Sequence, residues 1–311
     1  MIATVTLNPS LDKTVTVHGL VIEETNRWTT FRRDPGGKGI NVSRVIHELG
    51  GNTIAYSFSG GVDGQIMKRL LRRKKMPFDF VAVRQPTRSN FIITDLKTHH
   101  QTRIDAPGPR ISATELQRLK DKIRKTQPKP DFIVFAGSVP PGISDDIYRE
   151  LIEEAKSQGI KTALDSDGIW LTEGIKAKPY LIKPNVHETE ELLEVELKDE
   201  RAIIRAVKRF LDQGIGVAVI SRGRGGLIAG TKEKIVKAVP PEVKTRSTVG
   251  AGDSALAGLV LKLSQEATLE ETCRLAAAAG TAATLTHGTQ LCRRSDVEKL
   301  LPLVKIEPLH F

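Results

Sequence analysis

The chain has 311 residues, 39% of them hydrophobic, and its 47 Lys and Arg against 37 Asp and Glu give a formal net charge of +10 at pH 7. This length and composition allow a substantial buried core, which excludes a disordered protein and a small disulfide scaffold. The positive surplus leaves open a polyanion partner, an anionic small substrate, or solubility alone. Two cysteines without CxxC spacing, and no apolar run near the about 20 residues of a membrane span, predict a cytoplasmic protein.

Short β-rich runs alternate with amphipathic helical patterns along most of the chain. The predicted strands are Ile2–Leu7, Thr53–Phe58, Asp131–Phe135, Lys161–Leu164, Tyr180–Ile182 and Gly216–Ile220. The predicted helices are Ile40–Leu49, Asp63–Lys75, Ser112–Thr126, Ser144–Gln158, Glu200–Asp212 and Gly250–Ser264. Strands that alternate with helices form parallel sheets with crossover connections, so we expect an α/β fold.

Four alternating segments in the first half have no helix between them and interrupt this order. They are Thr14–Val17, Arg27–Arg33, Asn90–Asp95 and Thr102–Asp105. Alternation of apolar and polar residues is typical of strands with one buried face. We therefore predict a small second sheet inserted into the first half.

A basic run, Lys68–Lys75, holds six cations in eight residues and invites a nucleic-acid-binding interpretation. Ile66, Leu70 and Leu71 mark an apolar face within the same stretch. Because only 5% of the residues are aromatic and none interleave with the cations, we favour the solvated side of an amphipathic helix. A nucleic-acid-binding protein stays the alternative from a different functional class.

The most informative stretch is Ser247–Ser254, in which Gly250, Ala251 and Gly252 precede an apolar helix. Small residues leave backbone N–H groups uncovered at the positive end of a helix, where a phosphate can bind. A carboxylate there, Asp253, suits removal of a proton from a hydroxyl nucleophile. The structural alternative is a tight turn with Asp253 as a helix cap.

A second glycine cluster, Pro35–Asn41, also opens a predicted helix. Its glycines allow a ligand close to the backbone, Lys38 adds charge, and Asn41 offers both a donor and an acceptor. It is not a P-loop, because Gly39 stands where that motif needs Ser or Thr, and no stretch satisfies GxGxxG after a strand. The common NTPase and dinucleotide-binding folds are therefore disfavoured.

Polar clusters follow three of the predicted strands, at Asn8–Asp12, Gly137–Gly142 and Lys183–Glu188. Ligands of open α/β sheets bind beyond the carboxyl ends of the strands, so three clusters there predict a site. Asn185 and Glu188 share a face at i, i+3 spacing and could hold Mg²⁺ through water.

Five motifs, in this order, together resemble the PfkB branch of the ribokinase family over essentially the whole chain. They are Asn8-Pro9-Ser10-Leu11-Asp12, Gly36-Gly37-Lys38-Gly39-Ile40-Asn41, Gly137-Ser138-Val139-Pro140-Pro141-Gly142, Lys183-Pro184-Asn185 and Thr248-Val249-Gly250-Ala251-Gly252-Asp253. The resemblance implies a single domain over residues 1–311. Its expected fold is a ribokinase-like three-layer α/β/α core with a mostly parallel central sheet. It also implies a small β-sheet lid, from strands near 12–34 and 86–106, and a homodimer through interlocking lids.

The resemblance also implies roles for particular residues. Asp253 would be the general base, and the N–H groups of Gly250, Ala251 and Gly252 would stabilise charge on the transferred phosphoryl group. Residues implied at the sugar phosphate, besides Asp253, are Asp12, Gly36, Gly37, Lys38, Asn41, Arg88, Ser138 and Arg27. Residues implied at ATP are Lys183, Asn185, Ser221, Gly223, Gly226, Thr248, Ala277 and Thr281. Glu188 would organise Mg²⁺ through water, and backbone carbonyls near Ser247, Val249, Ala283 and Gly288 would bind K⁺.

Within the family, the motifs are most similar to the hexose-phosphate kinases of the minor bacterial 6-phosphofructokinase type. The expected reaction is ATP-dependent phosphorylation of fructose 6-phosphate to fructose 1,6-bisphosphate. Lys38 departs from that pattern, which has glycine there, and agrees with 1-phosphofructokinases and tagatose-6-phosphate kinases, which stay open as alternatives. A lid lysine of the pattern is replaced by Thr25, so inhibition by a second ATP is not carried over.

Overall fold

The computed structural model describes residues 1–98 and 100–309, and its strands fall into two sheets. The strands are β1 (Ile2–Thr6), β2 (Ser10–Val17), β3 (Thr30–Gly36), β4 (Thr53–Ser59), β5 (Phe78–Ala82), β6 (Arg88–Asp95), β7 (Gln101–Ile104), β8 (Phe132–Ala136), β9 (Lys161–Asp165), β10 (Leu181–Ile182), β11 (Val217–Ser221), β12 (Leu227–Gly230), β13 (Ile235–Val239) and β14 (Lys305–Leu309). The helices are α1 (Lys38–Glu48), α2 (Gly61–Arg73), α3 (Ala113–Arg124), α4 (Ile147–Ser157), α5 (Gly168–Ile175), α6 (Val186–Leu193), α7 (Glu200–Asp212), α8 (Ala251–Leu263), α9 (Leu269–Thr284) and α10 (Arg294–Leu300).

The larger sheet has ten strands in the order β14-β13-β12-β11-β10-β9-β8-β1-β4-β5. Along this sheet, all neighbouring strands from β5 through β4, β1, β8, β9 and β10 to β11 are parallel. The neighbours from β11 to β14, at the opposite edge, are antiparallel. Every residue of β1 and β8 is buried, as expected for strands covered on both faces. The predicted mostly parallel central sheet is confirmed, and the six strands predicted for it are all present.

Alternate residues of the central strands enter two separate cores, which makes the molecule three layers thick. On β8, Phe132 and Val134 pack with the core that includes α1, α8 and α9, whereas Ile133 and Phe135 pack with the opposite core. This division follows from the period of two in a strand. The predicted α/β/α arrangement is confirmed.

Two helices, α2 and α9, pack as their sequences indicate. On α2, Met67 and Leu71 are buried while Arg72 and Arg73 are exposed, which confirms an amphipathic helix in the basic run. The small residues of α9 allow close packing on α8, because a Cβ at Gly258 would lie only 2.9 Å from the Ala276 Cα. Among the described residues, no helix is long and apolar enough to span a membrane.

The smaller sheet has the order β3-β2-β6-β7, which confirms the predicted second sheet. Its two outer pairs are antiparallel, and its central pair, β2 with β6, is parallel. β2 and β6 begin earlier than predicted, at Ser10 and Arg88, so polar motif residues belong to the strands themselves. β3 begins later, because pairing with β2 ends at Thr30 and leaves Arg27 in an exposed connection.

Candidate active site

Asp253 lies in the first turn of α8 and is only 8% exposed. Its Oδ2 accepts a hydrogen bond of 2.8 Å from the Nδ2 of Asn41, at the start of α1. Burial and the neighbouring Asp165 raise the pKa of Asp253 above its ordinary value, while Asn41 and two lysines act in the opposite direction. A buried carboxylate with a raised pKa is suited to proton transfer.

The turn before α8 exposes backbone N–H groups at the positive end of the helix. Gly250 caps the helix with a φ of 79°, a left-handed conformation that glycine adopts without strain. The Ala251 N–H reaches the Thr248 carbonyl at 3.3 Å. Within the described residues, the N–H groups of Gly250 and Gly252 have no hydrogen-bond acceptor. Two donors are therefore available to an anion beside Asp253.

Two lysines converge on Asp165, the last residue of β9. Lys38 Nζ lies 3.1 Å from its Oδ1, and Lys183 Nζ lies 3.1 Å from its Oδ2. Although burial acts in the other direction, the lysines hold the pKa of Asp165 below its ordinary value. Burial likewise opposes protonation of Lys38, yet Asp165, Glu188 and Asp253 raise its pKa. The site thus keeps two cations near Asp253, as phosphate binding requires.

Asp12, on β2, forms a second buried carboxylate on the side of the small sheet. It accepts hydrogen bonds from Ser10 at 2.7 Å and from Asn90, on β6, at 3.2 Å. Burial raises the pKa of Asp12. Gly36 is required at this point, because a Cβ there would lie 2.5 Å from the Ser10 Oγ and from the Asp12 Cγ.

Arg88 and Asn8 lie on the same side of the site as Asp12, and each has a buried polar atom without a hydrogen-bond partner in the described structure. Arg88 donates to the carbonyls of Ala106 at 2.7 Å and Asn8 at 3.0 Å, and Asn8 Nδ2 donates to Ser138 Oγ at 3.1 Å. The Arg88 Nε and the Asn8 Oδ1 are buried without a partner in the described structure. Buried polar atoms without partners are costly, so an anionic or hydroxylated ligand would stabilise this arrangement.

Asn185 and Ser221 join the carboxyl ends of β10 and β11 through a parallel bridge. Asn185 and Glu188 form a reciprocal cap of α6, in which each side chain accepts from the backbone N–H of the other. Only the Oε2 of Glu188 is used in this cap among the described residues. A cavity of about 430 Å³ lies beside these residues and is also lined by Gly223.

The remaining residues predicted at ATP lie on the turn after β11 and on α9. Gly226 has a φ of 78° and its N–H donates to the Gly223 carbonyl at 3.1 Å, which forms the tight turn between β11 and β12. Ala277 and Thr281 share a face of α9. That helix passes the first turn of α8 closely, since a Cβ at Gly280 would lie 3.2 Å from the Ala251 carbonyl.

Of the residues predicted for a monovalent cation, Ser247 and Gly288 lie together in the structure. Ser247 Oγ donates to the Gly288 carbonyl at 3.0 Å, and Val249 N–H donates to Ser247 Oγ at 3.2 Å. The Ala283 carbonyl accepts from Thr286 Oγ1 at 2.8 Å. The bond between Ser247 and Gly288 joins the segment before α8 to the loop after α9.

The structure thus gathers most of the predicted residues where the strands end, but Arg27 is not among them. Arg27 is exposed in the connection between β2 and β3. Sequence reasoning missed Asp165 and Arg44. Asp165 could have been found by the rule applied to the other strands, because it ends β9. Arg44 follows Asn41 by three residues on α1, but its contacts required the tertiary structure.

Comparison with known proteins agrees with this geometry. Residues 5–296 match the model of the pfkB family of carbohydrate kinases. A 1-phosphofructokinase of Borreliella burgdorferi is 34% identical, covering 100% of this chain and 99% of that protein. The ATP-dependent 6-phosphofructokinase isozyme 2 of Escherichia coli is 35% identical over 96% of this chain and 97% of its own length.

Solved structures of Escherichia coli phosphofructokinase-2 have the same fold. A complex with substrates and products is 34% identical and aligns with a TM-score of 0.94, covering 97% of this chain and 98% of that one. A complex with potassium, also 34% identical, aligns with a TM-score of 0.92 over the same shares. With the family model spanning nearly the whole chain, this protein belongs to the pfkB family of carbohydrate kinases.

Proposed function

We propose that the protein is an ATP- and Mg²⁺-dependent kinase that converts fructose 6-phosphate to fructose 1,6-bisphosphate. The observation that carries the kinase chemistry is the position of Asp253, a buried carboxylate beside two uncommitted N–H donors and two lysines. Phosphoryl transfer needs mainly a positioned hydroxyl and stabilisation of the charge on the transferred group. This arrangement supplies both.

In the proposed reaction, Asp253 accepts the proton of the attacking sugar hydroxyl. The N–H groups of Gly250 and Gly252 donate to the oxygens of the transferred phosphoryl group. The Ala251 N–H joins them when its hydrogen bond to the Thr248 carbonyl is broken. Lys183 and Lys38 add positive charge on the Asp165 side. Donors that are already oriented stabilise developing charge without reorganisation, which is the largest part of such catalysis.

The sugar phosphate is proposed to lie between the two sheets. Asp12 would accept hydrogen bonds from its hydroxyls, and Asn41 would donate to them. Gly36, Gly37 and Ser138 would line the pocket. Arg88 is proposed to bind its phosphate, because the Nε is a buried donor with no partner among the described residues. A guanidinium can contact two phosphate oxygens at once.

The nucleotide is proposed to bind along the ends of β10 and β11. Asn185, Ser221 and Gly223 line the adjoining cavity, and the donors there suit ribose and phosphate oxygens. The remaining contacts with ATP are assigned to Lys183, Gly226, Thr248, Ala277 and Thr281. Glu188 fits a water-mediated Mg²⁺ ion, because its second carboxylate oxygen is uncommitted in the described structure. When bound, Mg²⁺ neutralises charge on the phosphate groups.

A monovalent cation and a dimer complete the proposal. Carbonyls near Ser247, Val249, Ala283 and Gly288 would bind K⁺, supported by the potassium complex of the Escherichia coli protein.

The small sheet is proposed to act as a lid and as the interface of a homodimer. The sheet exposes large apolar side chains, including Phe31 at 42% and Ile104 at 56%, and its β2–β3 connection exposes Ile22 at 84% and Trp28 at 64%. Burial of such a patch favours association. Arg27 would reach the sugar phosphate from this lid.

A second candidate is phosphorylation of fructose 1-phosphate or tagatose 6-phosphate. Lys38 favours it, because kinases of these two sugars carry lysine where the 6-phosphofructokinase pattern has glycine. The 1-phosphofructokinase relative is also as similar to this chain as the 6-phosphofructokinase. The two candidates share the same base and the same nucleotide site.

A coupled assay of ADP release with all three sugar phosphates tests the proposal. We expect kcat/KM for fructose 6-phosphate to exceed the other two values by about tenfold or more. A preference for fructose 1-phosphate or tagatose 6-phosphate would establish the second candidate instead. Absence of turnover with every sugar phosphate would reject both. The Asp253→Asn variant, assayed in parallel, controls for contaminating kinases.

A further inference from the structure

Arg44 lies on α1, one turn beyond Asn41, and has no part in the proposed function. Its side chain is 19% exposed. The Nη1 donates to two acceptors, the Pro35 carbonyl at 2.7 Å and the Asn41 Oδ1 at 3.0 Å. The same Asn41 amide donates from Nδ2 to the Asp253 Oδ2 at 2.8 Å. Arg44, Asn41 and Asp253 therefore form one continuous chain of hydrogen bonds.

The chemistry of the amide gives this chain a direction. An asparagine side chain has an acceptor oxygen on one side and a donor NH₂ group on the other. A guanidinium only donates and a carboxylate only accepts. A flipped Asn41 amide would therefore place its oxygen against Asp253 and its NH₂ group against Arg44, with repulsion at both ends. While Arg44 holds Oδ1, the NH₂ group must face Asp253.

Asp34, on β3, contacts the other terminal nitrogen of Arg44 and holds the guanidinium in place. The Asp34 side chain is almost fully buried, and its Oδ1 lies 3.7 Å from Arg44 Nη2. Arg32 donates to both carboxylate oxygens of Asp34, at 2.7 and 2.9 Å, and Thr289 donates to one at 2.9 Å. A carboxylate held by this many donors is rigid, so it anchors the guanidinium. The charge of Arg44 has its own partner in Asp34.

We propose that Arg44 is a positioning residue that orients the Asn41 amide and thereby fixes the Asp253 carboxylate for proton transfer. The inference rests on the proposed role of Asp253 as the general base. With Oδ2 held by Asn41, the Oδ1 of Asp253 is left to accept the proton of the sugar hydroxyl. Loss of Arg44 allows the amide to rotate and the carboxylate to turn with it. Small displacements of a catalytic group cost rate rather than binding of the remote nucleotide.

A double-mutant cycle with Arg44→Gln and Asn41→Ala tests the proposal, using steady-state kinetics of the full protein with ATP and its preferred sugar phosphate. We expect Arg44→Gln to lower kcat by about tenfold to 100-fold with an unchanged KM for ATP. In the Asn41→Ala background, Arg44→Gln should lower kcat by less than about twofold, because the group through which it acts is gone. Arg274→Gln is the matched control, since Arg274 also donates to a backbone carbonyl, that of Val304 just before β14.

Normal kcat in Arg44→Gln, a change confined to KM, or independent effects that multiply in the double variant would each overturn the proposal. If Arg44→Gln does not fold, as shown by thermal unfolding, Arg44→Lys replaces it in the cycle because it keeps a charge opposite Asp34. Asp253→Asn separates the two proposals. Normal turnover of that variant rejects the base itself, whereas an inactive Asp253→Asn beside a normal Arg44→Gln rejects only the role of Arg44.

Discussion

Asp253→Asn is expected to remove turnover and to stabilise the fold at neutral pH. A positioned general base contributes about 10²-fold to 10⁴-fold to rate. The other carboxylates of the described site hold different positions, and Asp12 lies on the side of the small sheet, where it accepts hydrogen bonds from Ser10 and Asn90. Asp165 is paired with two lysines, each at 3.1 Å, and Glu188 caps α6. We therefore expect a loss near the upper limit, about 10⁴-fold in kcat, equivalent to about 5.4 kcal/mol of transition-state stabilisation.

The effect on stability follows from the raised pKa of Asp253, which burial causes and Asp165 increases. A carboxyl group whose pKa is raised on folding stabilises the fold only while it is protonated, and this contribution is lost as the pH rises through the raised pKa. At pH 7 the charged group is therefore a cost, which a neutral asparagine of the same shape removes. The Tm of the variant should exceed that of the wild type at pH 7, and the difference should narrow as the pH falls.

The assay pairs steady-state kinetics with thermal unfolding and with calorimetric titration of ATP. The expected variant is inactive, more stable and normal in ATP affinity. Turnover within tenfold of the wild type would show that another group takes the proton. A lower Tm at pH 7 would show that the Asp253 carboxylate is stabilised by its contacts more than burial destabilises it.

Four further predictions concern the surrounding residues. Asp165→Asn should remove the ion-pair partner of Lys183, leave Lys38 with Asp167 at 3.9 Å, and lower the free energy of unfolding in urea by about 3–5 kcal/mol. Gly36→Ala should raise the KM for the sugar phosphate but not for ATP, because its Cβ would lie 2.5 Å from the Asp12 Cγ. Burial raises the pKa of Asp253 above 3.8, so kcat/KM for the sugar should fall on the acid side at a higher pH than an ordinary aspartate would give. Trp28→Lys should weaken the proposed dimer in analytical ultracentrifugation, since it places a charge in the exposed apolar patch.

Local patterns predicted most of the fold but missed four strands, β5, β12, β13 and β14, which form the two outer parts of the large sheet. β12 directly follows a glycine-rich turn and β13 pairs with it after a second turn, so neither strand shows the alternation with helices that is typical of the central strands. β14 contains Pro308, which lacks an N–H and disfavours a strand assignment. It is tolerated because β14 is at the edge of the sheet, a position that only the assembled sheet defines.

The sequence by itself determined most of the elements and the local chemistry of the site. Apolar runs of five residues, amphipathic helices and glycines before a helix depend on neighbours in the chain, so they could be recognised in order. Asp253 in the first turn of α8 is a prediction of this kind, and the structure confirms its position. The two cations at Lys38 and Lys183 were also recognised, but without their common partner.

Only the tertiary structure decided which side chains meet. Asn41 and Asp253 are 212 residues apart in the chain, yet their side chains share a hydrogen bond of 2.8 Å. Asp165 lies between two lysines from distant parts of the chain, and Arg44, anchored by Asp34 of the small sheet, reaches the base through the Asn41 amide. Such contacts depend on the packing of α1 between the two sheets and α8, which no local pattern encodes. The sequence therefore supplied the reactive groups, and the packing of distant elements set their orientation.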